Sequence, residues 1–294
     1  MEMDNIEPGK YVVAVSGGVD SIVLLDLLSK KPGLGLVVAH YNHGIREDSS
    51  HDLIHVQQVA KKYGLEFFAE AGKLGPNADE ALARTKRYEF LNSIKEKTNS
   101  KAIITAHHQD DLLETAVINL LRGTNRRGLS SMYSKEIIRP LLNYPKQDLV
   151  TYATTHKLSW REDSTNQDTK YLRNYIRLEI MPKFSAKERN NLLNIIEDSH
   201  GSNEQIDNIL SSLVADNSKD GKLSRSWFIS LPHNIAKEVM SSWLRQQAIN
   251  FDKSVIESLV IAAKTLDSGK SRDIDKGHIL RVQGDYLALL SAER

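Results

Sequence analysis

With 294 residues, 40% of them hydrophobic and 26% charged, the chain suits one large or two ordinary globular domains. It contains no cysteine, which excludes disulfides, thiolate zinc sites, iron–sulfur clusters and a cysteine nucleophile. Two acids among the first five residues and no apolar run near the ~20 residues of a bilayer span point to a cytoplasmic protein with no membrane partner. The net charge of +1 hides a basic middle: residues 101–190 hold 15 Lys and Arg against 10 Asp and Glu. That surplus suits a polyanionic partner, and it equally suits an uneven solvated surface.

Up to about residue 145, strand-like and helix-like patterns alternate. Apolar runs at Tyr11–Ser16, Gly35–Tyr41, Leu65–Glu70, Lys101–His108 and Glu136–Leu142 read as strands. Helical spacing is found at Ser21–Leu28, Ser50–Tyr63, Asp79–Lys97 and Asp110–Leu121, with a further helix at Gln147–His156. Continuous apolar strands separated by helices predict an α/β domain with a doubly wound parallel sheet, whose ligands gather at the carboxyl ends of the strands. After about residue 185 the pattern becomes helical, as in Ile206, Ile209, Leu210, Leu213 and in Ile235, Val239, Met240, Trp243. Two domains are therefore expected, 1–185 and a mainly helical 186–294 that ends in a short hairpin turning at Gln283–Asp285.

The stretch Ser16-Gly17-Gly18-Val19-Asp20-Ser21 joins the first strand to the first helix. Glycines open the backbone, the helix start offers free N–H groups, and Ser16 and Ser21 add hydroxyls, so the loop is an anion cradle. It lacks the lysine of a G-x-x-x-x-G-K-S/T loop. Asp20 would repel phosphate unless a cation lay between, which implies Mg²⁺. The plainer reading is a tight strand-to-helix turn.

Further candidates follow in chain order. His40, His43 and Arg46 fall at the end of the second strand, in a structural or substrate-orienting role. Glu80, Arg84 and Arg87 share a helix face, either as a surface ladder or with an arginine free to grip phosphate. His107, Asp111 and Glu114 lie within about 60° of one another on a helix, opposite Leu112, Leu113, Ala116, Val117 and Leu120. A carboxylate there could hold Mg²⁺ or recognise an amine. Acids at a helix start also complement the dipole. Arg122, Arg126 and Arg127 form a basic cluster. In the segment 160–177, Arg161, Lys170, Arg173 and Arg177 alternate with Trp160, Tyr171 and Tyr175, which suits phosphates and stacked bases of RNA.

The loop "SGGVDS" resembles the pyrophosphate loop of the ATP-pyrophosphatase (PP-loop) superfamily. With "HYNHGIR", "EALARTKRY", "AHHQDDLLET", "LRG", "RPLL" and "WREDSTN…RNYIR" in that order, residues 11–182 resemble the tRNA(Ile)-lysidine synthase family. The resemblance implies an ATP-dependent ligase that adenylates C2–O of the wobble cytidine in a CAU-anticodon isoleucine tRNA. An amine of free L-lysine would then displace AMP to give lysidine. It implies ATP and pyrophosphate binding by Ser16, Gly17, Gly18, Val19, Asp20 and Ser21, and metal binding by Asp20 and Asp111. Asp111 and Glu114 would serve lysine recognition or base chemistry, His107 would orient the cytosine, and Arg87 and Arg177 would hold phosphate charge. Arg122, Arg126, Arg127, Arg173 and Arg177 would meet tRNA. The resemblance leads to the expectation that the further C-terminal domain of longer family members is truncated or absent here. A tRNA thiolase of the same superfamily is the rival that the missing cysteines oppose; a small-substrate PP-loop ligase is opposed by the basic aromatic segment. A non-catalytic RNA-binding relic is opposed by the acids at 20, 110, 111 and 114. The oligomeric state is left open, a homodimer being one option.

Overall fold

Strands made of consecutive apolar residues leave both faces in need of cover, and this chain supplies helices on each side of one sheet. The computed structural model describes all residues except 2, 4, 5, 43–48, 73–79, 125, 135, 162–168 and 293–294. His43, Arg46, the side chain of Glu80 and the part of the basic aromatic segment at 162–168 therefore lie outside the described residues.

The first compact unit, Met1–His200, begins with β1 (Gly9–Ala14), α1 (Val19–Ser29), β2 (Leu34–Asn42), α2 (Ser49–Lys62), β3 (Glu66–Ala71), α3 (Glu80–Lys97), β4 (Ala102–Ile104) and α4 (Gln109–Leu121). It continues through α5 (Arg126–Leu129), β5 (Ile137–Ile138), α6 (Lys146–Thr155) and α7 (Leu172–Tyr175), which runs into a π-helical stretch at Ile176–Ile180. The sheet is wholly parallel, in the order β3-β2-β1-β4-β5. Side chains alternate as the pleat requires. Tyr11, Val13, Val38 and Ile104 enter the core under α1 and α6, whereas Val12, Val37, Ala39 and Ile103 meet Phe90, Leu91 and Ile94 of α3. The doubly wound sheet expected from sequence is the one found.

Chain order reverses direction across the sheet between β1 and β4, so the loops leaving those two strands diverge and open a crevice between them. Two strands are shorter than their apolar runs. Pro140 has no N–H to continue a ladder and β5 stops at Ile138. Beyond β4 only Thr105 still pairs, with Ile138 at 3.0 Å, and the chain then leaves the sheet through His107 and His108. On α4, Leu112, Leu113, Ala116 and Ile118 pack with Ile176, Met181 and Ile196, but Leu120 is 52% exposed because this packing ends at Ile118.

Helix α8 (Ala186–Asp216) carries the chain from the first unit into the second, Gly201–Arg294. The change of sequence pattern at 185/186 marks where this helix starts, while the contacts change within it. The reason is that Leu192, Leu193 and Ile196 pack against the α4 cluster and bind the helix's first half to unit one. The second unit contains β6 (Ser218–Lys219), β7 (Lys222–Ser224), α9 (Arg225–Ser230), α10 (His233–Gln246), α11 (Lys253–Thr265), β8 (Ser271–Asp273), β9 (His278–Gln283) and β10 (Tyr286–Ser291). β9 and β10 form a hairpin around Gly284-Asp285, which lies within a five-stranded antiparallel sheet. Trp243, Phe228, Met240, Leu259 and Leu287 are buried between this sheet and α9–α11. Ile206, Ile209 and Ile235, apolar positions of the helical pattern, remain exposed.

A charged group in the first unit's core ties three helices together. Asp26 of α1, 4% exposed, accepts hydrogen bonds at 2.7 Å from Lys30, from Tyr152 of α6 and from Tyr63 just beyond α2. Burial opposes its charge, but the bonds from Lys30, Tyr63 and Tyr152 prevail and its pKa is lowered from 3.8. Asp26→Ala should destabilise the protein by roughly 3 kcal/mol, since hydrogen bonds to a charged acceptor are the stronger kind. A depressed carboxyl pKa contributes stability above its unfolded value. The gap between wild type and variant should therefore be full above pH 3.8 and shrink as pH falls through the folded pKa, as read from urea unfolding across an acid series.

Candidate active site

The loop after β1 is tight for a stated reason. Gly17 has φ +98°, a region that side chains rarely occupy, and an added Cβ would lie 3.3 Å from Val56. The Gly17 amide donates to Ser21 Oγ at 3.2 Å and the Gly18 amide to Ser16 Oγ at 3.3 Å; the two hydroxyls are 3.3 Å apart. Ser21 in turn donates to the Gly18 carbonyl at 2.9 Å. Val19, Asp20 and Ser21 open α1, where backbone N–H groups have no intrahelical acceptor. His40, buried at the end of β2, is bonded through Nδ1 to the Val15 carbonyl at 2.8 Å, and burial lowers its pKa. It supports the loop from behind.

The turn after β4 lies across the crevice. His108 caps α4 by accepting from the Asp111 amide at 3.4 Å, and the Asp111 carboxylate accepts from the His108 amide at 3.1 Å. With only 2% of its side chain exposed, His108 places Nε2 3.4 Å from Asp111 and 3.6 Å from Asp20, so one imidazole faces the acids of both loops. Burial works against a charge there, yet Asp20 and Asp111 outweigh it and raise the His108 pKa. Asp111 is buried too, and its pKa is nevertheless lowered, by His108 first and also by Arg177.

Glu114, 1% exposed, receives a two-pronged grip from Arg177, Nε at 2.7 Å and Nη2 at 2.8 Å, and the same Nη2 lies 3.3 Å from Asp111. Burial pushes the Glu114 carboxyl up while Arg177 pulls it back. Arg177 projects from the π-helical stretch, whose wider turn is the sort of local irregularity that often marks a functional site. His107 bonds through Nδ1 to Thr105 Oγ1 at 2.8 Å, and burial, with Arg139, Arg87 and Arg84 nearby, drives its pKa to about 3 against the pull of Asp111. It is neutral.

Asp20, His107, Asp111, Glu114 and Arg177 thus come together at one crevice, beside the loop 16–21. Arg87 stands on α3, close enough to His107 to help lower its pKa. Arg173 bonds Thr115 on α4 at 2.9 Å, and Arg122 is exposed where α4 ends. Arg126 and Arg127 are half-buried in α5. Around Arg122 and Arg173 the surface also presents Leu121, Tyr171 and Tyr175, at 70%, 44% and 45% exposure.

Two residues of the site went unnoticed in sequence. Lys146 opens α6, donates its amide to Asp110 at 2.8 Å and places Nζ 3.5 Å from Asp20, so the loop without a lysine receives one from another element. Arg139 is buried next to His107. The position of Lys146 directly after Pro145, at a helix start, was the available signal.

For a divalent cation, Asp20 has one buried oxygen without a hydrogen-bond partner, whereas Asp111 has its oxygens engaged with His108 and Arg177. Among the described residues no group of three or more His, Cys, Asp or Glu could enclose a metal. A single carboxylate with nucleotide oxygens and water suits Mg²⁺, which seldom needs an all-protein cage.

The PP-loop domain model matches residues 2–184. A tRNA(Ile)-lysidine synthase from Francisella tularensis subsp. holarctica is 31% identical over 301 residues, covering 98% of this chain and 75% of the relative. One from Legionella pneumophila is 39% identical over 187 residues, covering 60% of this chain and 43% of the relative. Among solved structures, the U34-tRNA thiolase NcsA from Methanococcus maripaludis, determined with its 4Fe–4S cluster, superposes with a TM-score of 0.54 at 19% identity, over 66% of this chain and 73% of that one. That likeness concerns the fold alone.

Removing one partner of a buried pair leaves the other charge uncompensated. Glu114→Leu should therefore destabilise the protein by about 3 kcal/mol, and Glu114→Leu with Arg177→Met should recover most of that loss, both measured by urea unfolding.

Proposed function

This chain belongs to the PP-loop proteins and, among them, to the tRNA(Ile)-lysidine synthase family, and on that footing we propose that it joins free lysine to C2 of the wobble cytidine of a CAU-anticodon isoleucine tRNA through an adenylated cytidine. The observation that carries this reading is the meeting of an amide-lined loop with a buried group of acids at one crevice.

ATP is the nucleotide that PP-loop proteins use. The amides and hydroxyls of residues 16–21 hold its two outer phosphates, and Lys146 supplies the cation that the loop itself does not contain. Asp20, with its one unpartnered buried oxygen, would hold Mg²⁺, which would supply neutralising charge for the pyrophosphate. The cytosine C2 oxygen attacks the α-phosphorus and pyrophosphate leaves. C2–O then departs as AMP when the lysine amine attacks C2. Neutral His107 is suited to hydrogen-bonding the base without adding charge.

The incoming amine is an ammonium in solution and must lose a proton before it attacks. Asp111 and Glu114 favour its approach by charge. Glu114 is the better proton acceptor of the two, since burial pushes it up while Asp111 is held down. Arg177 occupies both Glu114 oxygens, so it must turn away first, and the new phosphodiester charge of the adenylate gives the guanidinium a reason to do so. The exposed Tyr171 and Tyr175 with Arg122 and Arg173 offer stacking and phosphate contacts to the tRNA; Arg126 and Arg127 of α5 add further positive charge.

Thiolation of the tRNA is the weaker reading, because the chain holds no cysteine to carry sulfur or a cluster. Pyrophosphate release measured with ATP, lysine and a CAU-anticodon transcript should stop when ATP or transcript is omitted, and the lysine adduct should require all three. Asp111→Asn should cut adduct formation at least about 100-fold while leaving the circular dichroism spectrum intact; near-normal turnover would remove Asp111 from the mechanism.

A further inference from the structure

The loop at residues 16–21 is gripped from one side by a stretch of chain whose arginine suits RNA by sequence. Beyond α6, Leu158 and Trp160 pack on the core cluster around α1 and so fix the path of the chain up to Arg161. From there the Arg161 amide donates to the Gly17 carbonyl at 3.0 Å. The side chain of the same residue turns to α2, where its Nε donates to the Asp52 carboxylate at 2.5 Å. His55 of α2 bonds through Nε2 to the Ser159 carbonyl at 3.2 Å. Asp52, His55 and Val56 share one face of α2, and a Cβ added at Gly17 would lie within 4.0 Å of all three. Loop, helix and segment therefore form a closed ring of contacts.

The consequence for the loop follows from the planar peptide. In a trans unit the C=O and the N–H point opposite ways, so fixing the Gly17 carbonyl toward residue 161 aims the Gly18 amide away from it. That amide rests on Ser16 Oγ at 3.3 Å, longer than the usual N–H···O bond, and a phosphate oxygen is the stronger acceptor. Gly17 has no side chain to hold this orientation, and at φ +98° it uses a freedom that only glycine has. The orientation is imposed from outside. Arg161 imposes it through its backbone, and Asp52 holds Arg161 in place.

We propose that the Asp52–Arg161 ion pair is a clasp that keeps the Gly17–Gly18 peptide turned for phosphate, which makes Arg161 a positioning residue for the nucleotide and not an RNA contact. This deepens the ligase reading above and rests on residues 16–21 being the phosphate cradle. The two side chains are 40% and 15% exposed, and an ion pair so placed contributes little to global stability. Its removal is felt in nucleotide affinity, which falls with the fraction of loops in the competent orientation.

ATP affinity is measured in two ways, by equilibrium titration with ATP and Mg²⁺ alone and as the KM for pyrophosphate release at saturating lysine and CAU-anticodon transcript. The transcript KM and the urea midpoint are recorded beside it. Arg161→Ala and Asp52→Ala should each weaken ATP about 5-fold in both assays, with kcat, transcript KM and urea midpoint unchanged. The two changes together should lose no more than either alone, since each already opens the clasp. Arg161→Lys, which keeps the charge, should recover part of the affinity. Unchanged ATP affinity in both single variants overturns the clasp. A raised transcript KM with normal ATP affinity gives Arg161 to RNA and likewise overturns it, as do a urea midpoint that falls in step with affinity and additive losses in the double variant. A wild type that binds ATP yet forms no lysine adduct overturns the ligase reading instead, and the titration still decides the clasp.

Discussion

One buried imidazole joins the two halves of this site. His108 faces Asp20 of the loop after β1 and Asp111 of the helix after β4, and its own ring nitrogen caps that helix. The loop and the helix are almost 90 residues apart in the chain, and parallel pairing of β1 with β4 is what brings them level. Cap, ion pairs and strand register are mutually dependent. A shift of one residue in the pairing would turn Ile103 and Ile104 to opposite faces and carry the acids out of reach of the loop.

Charge is arranged here by segregation. Acids at 20, 110, 111 and 114 are concentrated at the carboxyl ends of the strands, each with a cation from a different element: Lys146 at Asp20, Arg189 at Asp110, and Arg177 at Asp111 and Glu114. Arg84 and Arg87 of α3 and Arg139 after β5 have no paired acid among the described residues. Such an arrangement costs stability in the folded chain, because neither buried acids nor buried guanidiniums are at their best out of water. A substrate that brings opposite charge to each group would offset that cost when it binds.

The loop without a lysine shows how chemistry is shared between elements. A P-loop keeps its cation in the loop itself. Here the cation arrives from α6, whose start is held in place by the bond between the Lys146 amide and Asp110. His108 thus faces the loop's aspartate while Asp110 holds the lysine that faces it from the other element.

The fold class was legible in the sequence because apolar runs with period-two and helical spacing report which faces are covered, whatever covers them. The tight loop after β1 was legible because a glycine pair with small hydroxyl residues between a strand and a helix marks such a turn. Position in chain order alone was enough to place Asp20, His107, Asp111 and Glu114 at strand ends. What sequence left open was every pairing between distant residues. Leu120 looks like a core residue by spacing and is exposed, since the length of cover over α4 depends on α8, more than 60 residues away. Arg177 on Glu114, Lys146 at Asp20 and Arg139 beside His107 were decided only when the sheet placed their elements side by side. The physical reason is that periodicity is a local property, while an ion pair needs two atoms within about 4 Å, and only the tertiary structure sets that distance.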